Sequence, residues 1–323
     1  MRRRGMLAGL GAVGLASAAN RAQAQGWARR PVRLVVPFPA GGPPDVLGRA
    51  MAEALAARWG QPVVIDNRPG AGGNLGAEHV ARSAPDGHTL LLCASSHVQG
   101  SALFHNLPFD PLRDFSAVAM LSIYALVAIV HPSVPVQTLA ELVALAKREP
   151  GRVTYGSTGV GTPTHLVVEL FRLRAGIELT HVPYGGAAPA QTAILAGQVM
   201  AMFNNPVLSI PAIRDGALRG LATTGAARMP QLPDLPTVAE SGYPGFEAGT
   251  WYGVLAPAGL PAPLAESLAD DFDAVLATPQ MRGRLATMGM LRLAEGPAPF
   301  AARLAAELES WSRVIRQAGI RMD

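Results

Sequence analysis

The chain has 323 residues, of which 49% are apolar and 15% charged, and its formal net charge is +4. This length and apolar content suffice for a core that divides into two lobes. Cys93 is the only cysteine. The composition therefore excludes an intrachain disulfide and any metal site built from several cysteines.

The chain begins with the pattern of an export signal. Residues 1–24 combine a basic start of three consecutive arginines, an apolar stretch and a small-residue ending at Ala22 and Ala24, with a fourth arginine at position 21. Arg3 and Arg4 add a twin-arginine character, and the alternative is an uncleaved membrane anchor. Cleavage removes four of 27 basic residues and none of 23 acidic ones, which leaves 23 of each sign. The mature charge thus predicts neither nucleic acid nor anionic lipid as a partner.

Residues 34–49 predict a strand, a Pro/Gly turn and a helix, which together are typical of an anion site. We expect Asp45 to cap this helix and Gly60 to follow its last turn. The turn over residues 38–45 has three interpretations: a phosphate cradle, a carboxylate site, or a plain chain reversal that uses Gly41 and Gly42.

Similar turns recur along the chain. Glycine turns follow predicted strands at residues 67–76, 156–162 and 183–189, and Ser95 and Ser96 follow another strand. Alternating strands and helices predict mostly parallel α/β sheets with right-handed crossovers. Ligands bind at the carboxyl ends of the strands in such sheets.

The apolar segment 118–130 has 13 residues, too few for a membrane-spanning helix. It predicts one long buried strand that crosses between lobes. Near the C-terminus, residues 264–277 and 299–318 predict surface-packed helices. Before these helices, we expect Trp251 and Tyr252 to pack in the core.

The catalytic motifs that we sought are absent from the sequence. Ser157 lies in Y-G-S-T-G, which lacks the first glycine of a nucleophile elbow, so a hydrolase would need another general base. The histidines lack zinc-site spacing and no turn completes a nucleotide fingerprint, so we expect neither metal nor cofactor. For His165 two roles stay open: donation to an anion or a bond to the local backbone.

Five segments taken together resemble the Bug family, the TctC-like extracytoplasmic solute receptors of tripartite tricarboxylate transporters. They are VPFPAGGPPDVLGR, NRPGAGGNLGAEHVARSAPDGHTLL, YGSTGVGTPTHLVVELF, THVPYGGAAPAQTAILAGQV and LPDLPTVAESGYPGFEAGTWYGVLAP. The resemblance implies an α/β periplasmic binding protein of the two-lobe, type II or Venus-flytrap kind, with a hinge and a ligand cleft. It implies that residues 25–125 and 252–323 form lobe 1, that 126–251 form lobe 2, and that the protein is a monomer.

The resemblance also implies that backbone amides, hydroxyls and waters hold the carboxylate of the ligand. The implied ligand-binding residues are Phe38, Gly41, Gly42, Asp45, Ala71, Gly72, Asn74, Ser95 and Ser96 in lobe 1, and Ser157, Gly159, Thr162, His165, Tyr184, Gly185 and Asn204 in lobe 2. Asn204 stands where the family often has Asp, which predicts a carboxylate or dicarboxylate without an amino group. We expect Arg68 to brace its loop instead of meeting the ligand.

The implied function is capture of a small organic carboxylate and its delivery to the large and small membrane subunits of a transporter. A receptor read by a sensor protein is the alternative. An exported hydrolase that uses Ser157 is a third interpretation.

Overall fold

The computed structural model describes residues 27–100, 103 and 107–320. The predicted signal peptide, residues 1–24, lies outside them. In chain order the elements are β1 Val32–Val36, α1 Pro43–Trp59, β2 Val63–Asn67, α2 Asn74–Ala81, β3 Thr89–Ala94, α3 Ser96–Gln99, β4 Phe115–Ala125, β5 Val127–Val130, α4 Leu139–Arg148, β6 Thr154–Ser157, α5 Pro163–Ala175, β7 Thr180–Pro183, α6 Ala187–Leu195, β8 Ala201–Asn204, α7 Pro206–Arg214, β9 Arg219–Thr223, β10 Gly249–Pro257, α8 Ala262–Leu276, α9 Pro279–Thr287, β11 Leu291–Glu295 and α10 Pro297–Ala318. Among the helices of these ranges, none has the length and apolarity needed to cross a membrane.

The strands form two mixed sheets. The first has six strands in the order β11-β4-β10-β3-β1-β2, and the second has five in the order β7-β6-β8-β5-β9. The pairs β1/β2, β1/β3, β6/β7 and β6/β8 are parallel, whereas the pairs made by β4, β5 and β10 are antiparallel. The prediction of mostly parallel sheets is therefore wrong. A helix follows each of β1, β2, β6 and β7 and provides the crossovers that parallel pairing requires, whereas β5 follows β4 after one residue and no helix lies between β9 and β10.

The apolar segment 118–130 is divided between the two sheets. The structure has β4 in the first sheet and β5 in the second, where the sequence predicts one continuous strand. Between them, Leu126 N donates to Thr224 Oγ1 at 2.8 Å, and Thr224 N donates to Leu126 O at 2.9 Å. These bonds satisfy the backbone N–H and C=O of Leu126, the one residue between β4 and β5.

The strand assignment agrees in order with the predicted lobes, whose boundaries stay a prediction. Strands β1 to β4, β10 and β11 belong to the first sheet, and β5 to β9 to the second. The predicted return at residue 252 falls inside β10. A single apolar cluster joins the sheets, with Leu34 and Leu92 on one side and Leu166 and Phe203 on the other.

The helix ends and the core positions follow the local sequence with one exception. Helix α1 ends at Gly60, whose φ is +64°, as predicted. Its N-cap is Gly42 and no side chain caps it, so the prediction that Asp45 is the cap is wrong, because the two prolines start the helix earlier. Trp251 and Tyr252 are buried, which confirms them as core residues.

Candidate functional site

The first turn, between β1 and α1, is held by the carboxylate of Asp45. Its Oδ2 accepts hydrogen bonds from Gly41 N and Arg49 Nε, both at 2.9 Å, and its Oδ1 accepts from Asn67 Nδ2 at 2.9 Å. Burial favours a raised pKa for Asp45, but bonds from Arg49, Gly41 and Asn67 outweigh it and hold the pKa below its usual value. Asp45, one of the predicted ligand residues, thus braces the turn with its own lone pairs.

Asn67 is a supporting residue that the sequence reasoning missed. Besides Asp45, its Nδ2 reaches the carbonyl oxygen of Phe38 at 3.2 Å, which fixes the turn from the neighbouring strand. Arg68 Nε donates to Asp66 Oδ2 at 2.9 Å, so Arg68 braces this loop as predicted. The only sequence signal for Asn67 is its position at the end of β2.

The structure brings four of the predicted lobe 1 residues to one small cavity. Phe38, Gly72, Asn74 and Ser96 line it. The remaining lining residues are Pro37, Gly73, Ala77, Leu91, Cys93, Ala94 and His97. Ala71, next to Gly72, has a φ of +47°, which is uncommon for a residue with a side chain. The first and second turns therefore meet at the carboxyl ends of β1 and β3.

Helix α3 forms the adjoining wall, with Ser95 and Ser96 at its start. Ser95 is fully buried; its Oγ donates to Gln99 Oε1 at 3.2 Å, and its N donates to Trp251 O at 3.1 Å. The Nε2 of Gln99 is buried and has no hydrogen-bond partner among the described residues. Ser95 is thus engaged locally, whereas Ser96 faces the cavity.

The third turn, after β6, is a network of hydroxyls and amides. Ser157 Oγ contacts His181 Nε2 at 2.6 Å, and it both donates to Gly159 O and accepts from Gly159 N at 3.1 Å. Thr162 Oγ1 donates to Gly159 O at 2.7 Å, and Tyr184 N donates to Ser157 O at 3.0 Å. Four predicted residues of lobe 2 therefore share one network, and Gly185 lies exposed beside Tyr184.

Two histidines stack behind this turn. The rings of His165 and His181 are 4.0 Å apart between centroids and 9° from parallel. Gly161 N donates to His165 Nδ1 at 3.1 Å, so the neutral ring carries its proton on Nε2. Burial, helped by His181 and Arg172, lowers the pKa of His165 to about 3. The expected bond to the local backbone is thus present at Nδ1.

Asn204 is set apart from that network by its own partners. It is buried, its Nδ2 donates to Gln191 Oε1 at 2.7 Å, and its Oδ1 accepts from Asn205 N at 2.8 Å. Both ends of the amide are therefore used within the second sheet. Its strand, β8, pairs in parallel with β6, which places Asn204 at the same sheet edge as Ser157.

The two sets of turns approach each other at helix α3. A Cβ added to Gly100 would lie 3.8 Å from the carbonyl oxygen of Gly161. Among the residues described, no acceptor takes the N–H of Gly42 or of Gly185. Within the same ranges, no cluster of His, Cys, Asp and Glu could hold a metal ion. Free N–H groups are donors that suit an anion.

Comparison with known proteins decides the family. A profile described as "Tripartite tricarboxylate transporter family receptor", TctC, matches residues 47–320. The chain belongs to the TctC family. BugT from Bordetella pertussis is 35% identical to this TctC protein over 312 residues, which cover 96% of each chain. The resemblance noted from the sequence is confirmed.

Solved TctC-like structures share the whole fold. An R. palustris protein with adipate superimposes with a TM-score of 0.84 at 35% identity, covering 91% of this chain and 99% of that one. MatC from Rhodopseudomonas palustris with bound malate superimposes with a TM-score of 0.81 at 33% identity, covering 89% of this chain and 99% of that one. For the periplasmic binding protein BugD the TM-score is 0.80 at 32% identity, and the match covers 91% of this chain and 99% of that one. The predicted fold class, an α/β periplasmic binding protein, is therefore confirmed. Members of the TctC family are solute-binding receptors of the periplasm and not enzymes.

Proposed function

We propose that this TctC receptor binds a small organic carboxylate or dicarboxylate between the turns of its two sheets. The observation that supports the proposal is the approach of Gly100, at the end of α3, to Gly161 in the third turn. The adipate and malate bound to the two R. palustris relatives support this class of ligand.

The proposed site holds the ligand by hydrogen bonds from neutral groups. The N–H groups of Gly42 and Gly185, in turns of the two different sheets, have no acceptor among the described residues, and Ser96 lines the first-sheet cavity. Asp45 is the only charged side chain among the predicted ligand residues; Arg49 balances its charge, and Gly41 N and Asn67 Nδ2 are its other two donors. Waters can then fill the space left by ligands of different length at small cost.

The proposed movement is closure of two lobes, residues 25–125 with 252–323 against 126–251. Leu126 and the start of β10 are the points where the chain passes between sheets. A ligand that contacts turns of both sheets favours the closed arrangement by its differential affinity for that state. Closure is the signal that a transporter or a sensor can recognise.

The proposed ligand lacks an amino group. Asn204 replaces an acidic residue that could pair with an ammonium, and its amide is already bound to Gln191 and Asn205. An α-ammonium placed there would lose water without gaining a charged partner.

Calorimetry on the mature chain tests this ligand class. The panel is adipate, malate and succinate against aspartate, glutamate and inorganic phosphate. We expect binding of at least one simple dicarboxylate with a smaller radius of gyration in X-ray scattering. Binding of aspartate or glutamate but of no simple dicarboxylate contradicts the proposal.

We propose further that residues 1–24 direct export and that the receptor delivers its ligand to large and small membrane subunits. A mature N-terminus near residue 25, found by mass spectrometry of the periplasmic fraction, tests the export step. Genes for the two membrane subunits beside this gene support delivery, whereas a neighbouring sensor gene alone favours the signalling alternative.

The hydrolase alternative gains one observation, the 2.6 Å contact between Ser157 Oγ and His181 Nε2. Against it, Ser157 is fully buried, and the nearby carboxylate of Glu169 is occupied by Tyr155 and Arg172. A nucleophile needs an accessible oxygen and a base oriented by a third group. Ligand-induced closure without turnover ends this alternative, whereas ester hydrolysis that is lost in Ser157→Ala supports it.

A further inference from the structure

We infer that Thr224 is a positioning residue of the hinge, because it fastens both segments that pass between the sheets to the second sheet. Lobe closure then bends the chain at two peptide bonds, one between Ala125 and Leu126 and the other between Ala248 and Gly249. The inference rests on the proposed function, since it assigns the place of the movement that accompanies ligand binding.

The first step is the set of hydrogen bonds that Thr224 makes. It follows β9 directly; its N donates to Leu126 O at 2.9 Å, and its Oγ1 accepts from Leu126 N at 2.8 Å. Its O accepts from Ala248 N at 2.9 Å, and its Oγ1 donates to Ala248 O at 2.5 Å. Each direction is fixed, because an amide N–H only donates and a carbonyl oxygen only accepts. Thr224 and these four bonds form a clamp on both segments.

The second step is the change of bonding partner along each segment. Ala125, the last residue of β4, pairs with Gly249, the first residue of β10, within the first sheet. Leu126 follows Ala125 and Ala248 precedes Gly249, and both bond to Thr224. The two points of change therefore lie side by side. Two neighbouring peptide bonds separate the part of each segment that pairs in the first sheet from the part that the clamp holds.

The third step is the attachment of the clamp to the second sheet. Thr223, the residue before Thr224, pairs with Val127 of β5. Its N donates to Pro236 O at 2.8 Å, and its O accepts from Val238 N at 2.9 Å. Thr224 is fully buried, so closure that broke the clamp would leave buried polar groups unpaired. This cost favours bending at the adjacent peptide bonds.

The residues at the two bending points are small. Ala125, Ala248 and Gly249 carry at most a methyl group, and hinges often use small residues to absorb changes in φ and ψ. A Cβ added to Gly249 would lie 3.2 Å from Tyr124 O and 3.3 Å from Ile123 Cγ1. The close approach of β4 and β10 at the hinge therefore depends on this glycine.

The clamp affects ligand affinity through the ligand-free protein. With all four bonds the two segments move together, and the lobes share one bending motion. Without the hydroxyl each segment keeps one bond to Thr224, either from Thr224 N to Leu126 O or from Ala248 N to Thr224 O. The segments can then shift separately, so the ligand-free receptor has more arrangements to lose on closure.

Calorimetry with the dicarboxylate that binds best tests the role of the hydroxyl. Thr224→Val keeps the shape of the side chain but removes both side-chain bonds, and we expect affinity to weaken about fivefold. Thr224→Ser restores the hydroxyl and should bind like the wild type. A purely structural loss would lower the melting temperature and leave the affinity of the folded protein unchanged.

Thr223→Val is the matched control at the neighbouring position. Thr223 is also fully buried, but its Oγ1 reaches Leu126 O only at 3.4 Å, so this variant should keep the wild-type affinity. Hydrogen exchange adds a local readout. The amide of Leu126 loses its acceptor in Thr224→Val and should exchange at least about tenfold faster in that variant, with no change in Thr223→Val.

Crystal structures of the wild type without and with the dicarboxylate test the bending points without any variant. The four bonds of the clamp should be present in both structures, and the changes in φ and ψ should fall at residues 125–126 and 248–249. Bonds of the clamp that break in either structure, or changes that fall elsewhere in the two segments, overturn the inference even if Thr224→Val fails to fold.

The outcomes separate this inference from the proposed function. A wild-type affinity in Thr224→Val, or an equal loss in Thr223→Val, overturns the inference alone. A wild type that binds no carboxylate of the panel, or whose sheets do not move on binding, contradicts the proposed function and the inference with it.

Discussion

Asp45 shows at the residue scale how one buried charge organises a turn. Its three donors satisfy the carboxylate, so Asp45→Asn should destabilise the native state by about 1–3 kcal/mol, because the amide faces donors with its own N–H groups. Its lowered pKa adds stability that is present above the usual Asp range and is lost as pH falls through the native pKa. Urea unfolding at pH 7 measures the change.

The control for Asp45 lies on the same helix. Glu53 is exposed, and its one ion pair within the described ranges is with Arg284, at 3.6 Å, so Glu53→Gln should change stability by less than about 0.5 kcal/mol. Equal effects of the two substitutions would show that the buried network contributes nothing particular to the turn.

Some residues of the candidate site are marked by the sequence on either side of them, and others are not. The positions of Gly41, Ser96 and Ser157 just after or at the ends of strands could be predicted because strand ends are visible in a short stretch of sequence, while their contact with a ligand stays a prediction. Asn67 and His181 could not, because each acts on a turn of the neighbouring strand. Pairing of strands separated by a helix, and hence the side chain opposite a given residue, is not encoded in either stretch alone.

At the element scale, the packing of β10 against α10 limits what Gly253 can become. A Cβ there would lie 2.4 Å from Phe300 Cζ and 3.1 Å from Ala119 O. Phe300 itself is held edge-on by Trp251, with ring centroids 5.2 Å apart. We therefore expect Gly253→Ala to destabilise the protein by roughly 1–3 kcal/mol, as overpacked cores do.

Gly283 provides the comparison for this substitution. It lies exposed within α9 and has nothing within 4 Å of an added Cβ, so Gly283→Ala should stabilise the protein by about 0.5–1 kcal/mol. Thermal unfolding of both variants measures the difference. Two shifts of the same sign would refute the packing argument.

The element boundaries also show what local sequence specifies. Gly60 ends α1 as predicted, and Thr162 with Pro163 starts α5, because caps and prolines act within a few residues. The antiparallel direction of β4 and β10 depends instead on pairing between strands that are far apart in sequence. The break at Leu126 is equally hidden, since Thr224, which satisfies it, lies 98 residues away.

At the scale of the whole molecule, four histidines with a lowered pKa couple folding to pH: His97 and His165, which are buried, and His79 and His181, which are partly buried. Burial lowers the pKa of His97 to about 4 and, with His181 and Arg172, that of His165 to about 3. Burial also lowers the pKa of His181. Unfolded histidines titrate near about 6.5, so above that value these groups have no effect on stability.

Below about pH 6.5 these histidines are protonated in the unfolded chain but stay neutral in the native state. Each histidine then costs about 1.4 kcal/mol of stability per pH unit until its native pKa is reached. Urea unfolding at pH 7.5, 6.5, 5.5 and 4.5 should show a plateau followed by a steep fall. Asp45 and Asp66, whose pKa values are lowered, lose their contribution only at lower pH. Burial raises the pKa of Glu307, so protonation of this carboxyl in the native state opposes the fall and makes it less steep.

His97→Gln tests that account because it removes one titrating group and keeps a donor for Pro111 O, which His97 Nε2 meets at 2.9 Å. The variant should lose stability less steeply below pH 6.5, by about one proton in the slope. A wild-type stability that stays level from pH 6.5 to 4.5 would mean that these histidines accept protons in the native state. An unchanged slope in the variant would remove His97 from the account and leave His79, His165 and His181 as the acid-sensitive groups of the receptor.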